Sequence, residues 1–171
     1  MRVASAPVTI EDVKRSRHLK PLSSEHHQAL LVAFQLKKGL AGHSESAGAP
    51  RDLPGLVALA RRFEEQVFRT HARAEEDALG KHLPEPELRR LSAEHAQLSR
   101  LVEQARTAGA AEQRAALGAF AELLERHVRW EERELFPFAE GHVDEPTLAA
   151  IGQEIERRLV AGAEGTKAAR R

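Results

Sequence analysis

The 171-residue sequence has no cysteine, no tyrosine and a single methionine. Without cysteine, it excludes disulfides, thiolate zinc sites, iron–sulfur clusters and thiol nucleophiles. Without tyrosine, it offers no phenolate ligand. The formal net charge is zero, with 26 basic and 26 acidic residues, which gives no support to charge-driven binding of nucleic acid or a membrane surface. No segment approaches the ~18 apolar residues of a membrane span, and the N-terminus lacks a secretory apolar region. We therefore expect a cytoplasmic protein with neither nucleic-acid nor membrane partners.

Apolar residues instead recur at helical spacing in four long segments, and no segment shows the alternation typical of a strand. The sequence predicts helices over about 25–40, 53–83, 87–106 and 111–140. Ser23 or Ser24 can cap the first helix, and Asp52 can cap the second. Short connections favour antiparallel neighbours. We therefore predict an all-α fold: an antiparallel up-down four-helix bundle with a short extra C-terminal helix over about 145–160.

The domain organisation follows from these segments. We predict an N-terminal arm over 1–20, which Pro21 closes, a bundle over 21–160 and a flexible tail over 161–171.

Two pairs of segments in the predicted bundle resemble each other. LSSEHHQ (Leu22–Gln28) matches LSAEHAQ (Leu91–Gln97), and HARAEEDAL (His71–Leu79) matches HVRWEEREL (His127–Leu135). The first helix is thus related to the third, and the second to the fourth. This duplication predicts a pseudo-twofold bundle with two equivalent half-sites.

The duplicated segments carry the candidate functional residues. His71 and Glu75 are four residues apart, as are His127 and Glu131, and this spacing places each pair on one helix face. These pairs share the apolar stripe of their helices, as do the lone histidines of the other two helices. We therefore expect six polar side chains to point into the core: His26, His71, Glu75, His95, His127 and Glu131.

Buried carboxylates are costly without compensating positive charge, which a pair of metal ions would supply. Imidazole with carboxylate suits iron, and also zinc or manganese. In the favoured arrangement each metal takes two histidines, Glu75 and Glu131 bridge the pair, and an oxo or hydroxo bridge leaves a position open for O₂ or peroxide.

Several neighbouring residues have more than one interpretation. His27 could replace His26 as a ligand, but it aligns with Ala96 in the duplication, which favours His26. Glu76 and Glu132 each follow a predicted ligand by one residue, and they are either further metal ligands or, as the sequence favours, carboxylates that face solvent or contact a ligand from outside. Glu25 and Glu94 have the same two interpretations, with helix-terminal charge as the simpler one; these alternatives stay open in the sequence.

The ordered segments EHH, HARAEE, EHAQL and HVRWEERELFP resemble the hemerythrin-like (HHE cation-binding) domains over about residues 21–138. The resemblance implies an up-down bundle with a non-haem di-iron site, whose ligands fall on the six residues named above. Oxygen-carrying hemerythrins have a further histidine where this sequence has Ser99, and a longer His-to-carboxylate spacing on the last helix. The pattern is more similar to bacterial hemerythrin-like proteins and to the iron-sensing domain of a eukaryotic ubiquitin-ligase subunit.

The resemblance and the residues together predict a di-iron protein that binds O₂, NO or peroxide for sensing or detoxification. One alternative is a di-iron enzyme, either peroxidase- or catalase-like or a ferroxidase. Another is an iron-responsive regulatory module, since metal binding contributes folding energy. The physiological ligand is not determined by the sequence.

Overall fold

The computed structural model describes residues 16–168, which form helices joined by short connections and contain no strand. This confirms the all-α prediction. The predicted arm lies outside the described residues over 1–15, and the predicted tail over 169–171. The eight α-helices of the described part are α1 (Lys20–Leu40), α2 (Ser44–Ala47), α3 (Leu53–Phe63), α4 (Arg69–Leu79), α5 (Glu85–Thr107), α6 (Ala110–Trp130), α7 (Phe136–His142) and α8 (Glu145–Ala168).

Helices α3 and α4 form one continuous bundle helix, and α6 and α7 form another, because a π-helical turn joins the two parts of each. One turn, Glu64–Phe68, joins α3 to α4, and the other, Glu131–Leu135, joins α6 to α7. In each, the backbone N–H that follows the turn donates to a carbonyl five residues earlier. Such turns interrupt α-helices mainly at functional sites. The first precedes His71 and the second follows His127, so the two turns break the symmetry of the duplication.

The helix boundaries differ from the predicted ones in three places. Helix α1 begins at Lys20, with Leu19 at its N-cap and Pro21 in its first turn, so the predicted serine caps are wrong. The short helix α2 lies in a segment predicted as a loop, and α8 extends beyond 160. The Asp52 cap is confirmed, because its side chain accepts a 2.9 Å hydrogen bond from the Gly55 N–H.

Two apolar clusters hold the bundle together. The larger surrounds Phe63 and Phe120, and the smaller surrounds Phe136 and includes Leu19 and Ile155. Complete burial of a side chain such as Phe120 contributes about 1.5–3 kcal/mol. The predicted ligands contact both clusters, since the His26 ring stacks on Phe136 at 5.5 Å and the His95 ring meets Phe68 edge-on at 5.5 Å. The polar centre therefore lies between two apolar layers.

Helix α8 packs mainly against α4 and buries Ile151 and Ile155 in the smaller cluster. Helix α8 also lies close to the turn before α1: a Cβ atom on Gly152 would be within 3.0 Å of the His18 backbone. No helix within residues 16–168 is long and apolar enough to cross a membrane.

Candidate metal centre

The six predicted ligands converge inside the bundle, and none is more than 4% exposed. His26 of α1 and His71 of α4 form one pair, with their Nε2 atoms 3.3 Å apart. His95 of α5 and His127 of α6 form a second pair, with ring centroids 4.8 Å apart. Each half of the duplicated sequence thus contributes one histidine pair.

The two buried glutamates lie between the histidine pairs. Glu131 Oε1 is 2.7 Å from His127 Nε2, and its Oε2 is 3.1 Å from His26 Nε2. Glu75 Oε2 is 3.4 Å from His95 Nε2 and 3.8 Å from His71 Nε2. Each carboxylate therefore faces one histidine of each pair, a position suited to bridging two cations.

The donor atoms form two overlapping groups, within each of which the atoms lie no more than 4.8 Å apart. The first group has four donors: Glu75, His95, His127 and Glu131. The second group has three donors: His26, His71 and Glu131. Glu131 belongs to both. The centre is therefore asymmetric, with fewer protein donors on the His26/His71 side.

Several of these donor atoms are buried without any hydrogen-bond partner among the described residues. They are both carboxylate oxygens of Glu75 and Glu131, and Nε2 of His95 and His127. Burying a polar or charged group without a partner costs several kcal/mol. A cation at the centre would satisfy all of these atoms, so the donor set fits a metal.

Each histidine of the centre is held from outside by a further carboxylate at its Nδ1 atom. The four pairs are His26 with Glu132 at 2.6 Å, His71 with Glu25 at 2.9 Å, His95 with Glu76 at 2.6 Å, and His127 with Glu94 at 2.8 Å. A carboxylate in this position keeps the proton on Nδ1 and leaves Nε2 for a metal. The structure thereby decides the open alternatives: these four glutamates contact the histidines from outside.

These outer contacts explain the duplicated motifs residue by residue. In both halves, the Glu of the Glu-His pair bonds the histidine on the following bundle helix. The duplicated serine supports another outer carboxylate: Ser23 Oγ donates to Glu132 at 2.5 Å, and Ser92 hydrogen-bonds Glu76. The pseudo-twofold symmetry thus extends beyond the predicted ligands.

The electrostatics of the metal-free centre reflect this ring of carboxylates. Burial by itself lowers the pKa of His26, but the carboxylates of Glu131 and Glu132, which lie 3.1 and 2.6 Å from its ring nitrogens, raise that pKa to about 10. Burial also lowers the pKa of His95, but the carboxylates of Glu131, Glu75 and Glu76 raise it to about 11. Burial raises the pKa of Glu131, but His127 and the other histidines hold it well below its usual range. A bound cation would take over the charge balance that these protons provide.

His27 is exposed and belongs to neither donor group, whereas its neighbour His26 is buried in the centre. The histidine that lies in the centre is therefore His26, the one that the duplication favoured.

A small pocket of about 10 Å³, with room for about one water molecule, opens beside the His26/His71 pair. Its apolar wall is formed by Ala29, Phe63, Val67, Phe68, Leu124 and Val128. Val67 and Phe68 belong to the π-helical turn Glu64–Phe68. No feature of the sequence indicated this turn, so the open side of the centre could not be predicted.

The chain was compared with known proteins. The family model of the hemerythrin HHE cation-binding domain matches residues 22–139, and again residues 86–160. The chain belongs to this family. The second match starts at α5, as the internal duplication would lead one to expect. Neither the curated proteins nor the solved structures gave a match. Family membership and the buried His/Glu cluster together indicate metal binding.

Proposed function

We propose that this hemerythrin-family protein holds two iron ions and binds a small ligand (O₂, NO or peroxide) for sensing or detoxification. The observation that carries the proposal is the pair of carboxylates, Glu75 and Glu131, between two buried histidine pairs. His95 and His127 would hold one ion, and His26 and His71 the other. Imidazole with carboxylate is a donor set that suits iron. The iron pair would supply redox-active Lewis acids able to coordinate a diatomic or peroxide ligand.

The protein's own side chains support this function in two ways. The apolar wall beside His26 and His71 favours a small ligand of low polarity and limits the entry of water. The outer carboxylates fix the imidazole orientation, an effect typically worth 10–100-fold in metal affinity. The three-donor side of the centre faces this pocket, so the ligand would meet the metal with fewer protein donors.

Metal analysis of neighbouring histidine variants tests the proposal. We expect about two iron ions per chain in the wild type and in His27→Ala, and a clear loss of iron in His26→Ala, because only His26 is in the centre. Circular dichroism would establish that both variants are folded. A folded wild-type protein that takes up no ferrous iron would refute the proposal, and so would an equal loss of iron in the two variants.

A second candidate function is an iron-responsive regulatory module. The buried oxygens of Glu75 and Glu131, which have no hydrogen-bond partner among the described residues, favour it. Removing the metal would leave the charge balance of these oxygens to protonated histidines and would withdraw the folding energy that metal binding contributes. A marked loss of helicity at physiological temperature on chelation would support this use of the site, and unchanged helicity would count against it.

A further inference from the structure

A cationic groove of about 560 Å³ runs along α6 between α1 and α5. Its five cations exceed its three carboxylates, although the whole chain has a formal net charge of zero. The cations are Lys37, Arg90, Arg126, Arg129 and Arg133, and the carboxylates are Glu122, Glu125 and Glu134. With Glu94, which binds Arg90 at 3.0 Å, five cations face four carboxylates, so this face has an excess of one positive charge.

Two of these arginines are free to contact a partner. Glu125 binds both Lys37, at 2.6 Å, and Arg129, at 2.6 Å. Arg126 and Arg133 are exposed, and no described residue forms an ion pair with either. Their charge is thus not neutralised within the described part of the protein.

The floor of the groove is connected to the metal centre by two short routes. Trp130 is 6% exposed, and its ring lies 6.1 Å from the His127 ring while Arg90 stacks on it at 4.0 Å. Arg90 also donates to Glu94 at 3.0 Å, and Glu94 accepts from His127 Nδ1 at 2.8 Å. A molecule bound in the groove would be separated from His127, a predicted metal ligand, by one side chain, that of Trp130.

We propose that this groove docks an acidic one-electron carrier protein, and that Trp130 and Glu94 couple the carrier to the metal centre through His127. This inference rests on the proposed function, since it needs a redox-active metal. In each encounter the carrier loses one electron and one ferric ion becomes ferrous; no bond forms or breaks. A second encounter would reduce the second ion.

The pattern of charge favours such a protein over nucleic acid. The three carboxylates among the cations would repel a continuous phosphate backbone, whereas a folded acidic surface can present separate charges and accommodate them. Interfaces between electron-transfer proteins are typically small, and charge steers the encounter of the two proteins. Next to Lys37 on α1, exposed Phe34 adds an apolar contact that a small anion would not use.

The test uses iron-loaded, oxidised protein and reduced flavodoxin, an acidic one-electron carrier, as the probe. The rate of metal reduction is followed by stopped-flow absorbance without oxygen, and binding of oxidised flavodoxin by calorimetry at low and high salt. In Arg126→Glu/Arg133→Glu we expect binding and reduction at low salt to weaken on the order of tenfold, with reduction by dithionite unchanged. The control Arg51→Glu/Arg157→Glu changes the net charge equally, at residues that line other surfaces.

At saturating flavodoxin, where the rate no longer depends on affinity, Trp130→Leu should slow electron transfer within the complex. Equal effects of the two double variants, or binding that does not depend on salt, would overturn the docking site. An RNA oligonucleotide that binds the groove more tightly than flavodoxin would overturn it too. A protein that takes up no iron would refute the proposed function and the electron-transfer step together, whereas flavodoxin binding would still be measurable and would still test the groove as a docking site.

Discussion

Replacing Glu75 by glutamine should have opposite effects on the metal-free and metal-loaded protein. The Glu75 side chain is fully buried, and neither oxygen has a hydrogen-bond partner among the described residues. Glutamine has nearly the same shape but no charge. His95 and His71, which face Glu75, keep their outer carboxylates at 2.6 and 2.9 Å, so neither ring loses its last charge partner. An unsatisfied buried polar group costs about 1–3 kcal/mol, and more if it is charged. We therefore expect metal-free Glu75→Gln to be more stable than metal-free wild type by about 2 kcal/mol, or roughly 4–8 °C in Tm for a chain of this size.

The metal-loaded variant should instead be less stable than loaded wild type, since it loses a donor facing both histidine pairs. Thermal unfolding by circular dichroism, in a chelator and in excess ferrous iron without oxygen, measures both effects. The buried Glu64 provides a matched control because its carboxylate is satisfied by Arg69 at 2.7 Å. Glu64→Gln should lower Tm in both conditions. A Glu75→Gln variant that is destabilised equally with and without metal would refute the reasoning.

Two further substitutions, each with a matched control, test the surroundings of the centre and the packing of the bundle. Glu132→Ala removes the buried carboxylate that orients His26 and should lower metal affinity about 10–100-fold in a chelator competition, whereas exposed Glu134→Ala should not. Gly152→Ala should lower Tm, because its Cβ would meet backbone atoms of His18 and cost about 1–3 kcal/mol. Gly165→Ala on the same helix has open space and should be neutral or slightly stabilising; a loss of Tm equal to that of Gly152→Ala would contradict the packing argument.

The number and order of the bundle helices could be predicted, because apolar spacing reports directly which face of a helix is buried. The start of α1 could not: Pro21 suits the first turn of a helix as well as it suits a break before one. The π-helical turns were missed for a different reason. Each adds a residue to a helical turn and is stabilised by packing around it, and the local sequence has no distinctive residue for this.

For the centre itself, the sequence determined which side chains could meet. His71 and Glu75 share a helix face with apolar neighbours, and the duplication selected His26 over His27; both are consequences of local helical geometry. Only the tertiary structure decided how residues of different helices pair. The contact of Glu132 with His26, the shared position of Glu131 and the side on which the pocket opens all depend on the register between helices. That register is set by packing and by the π-helical turns, which rotate the residues that follow them, so residues distant in sequence decide it together.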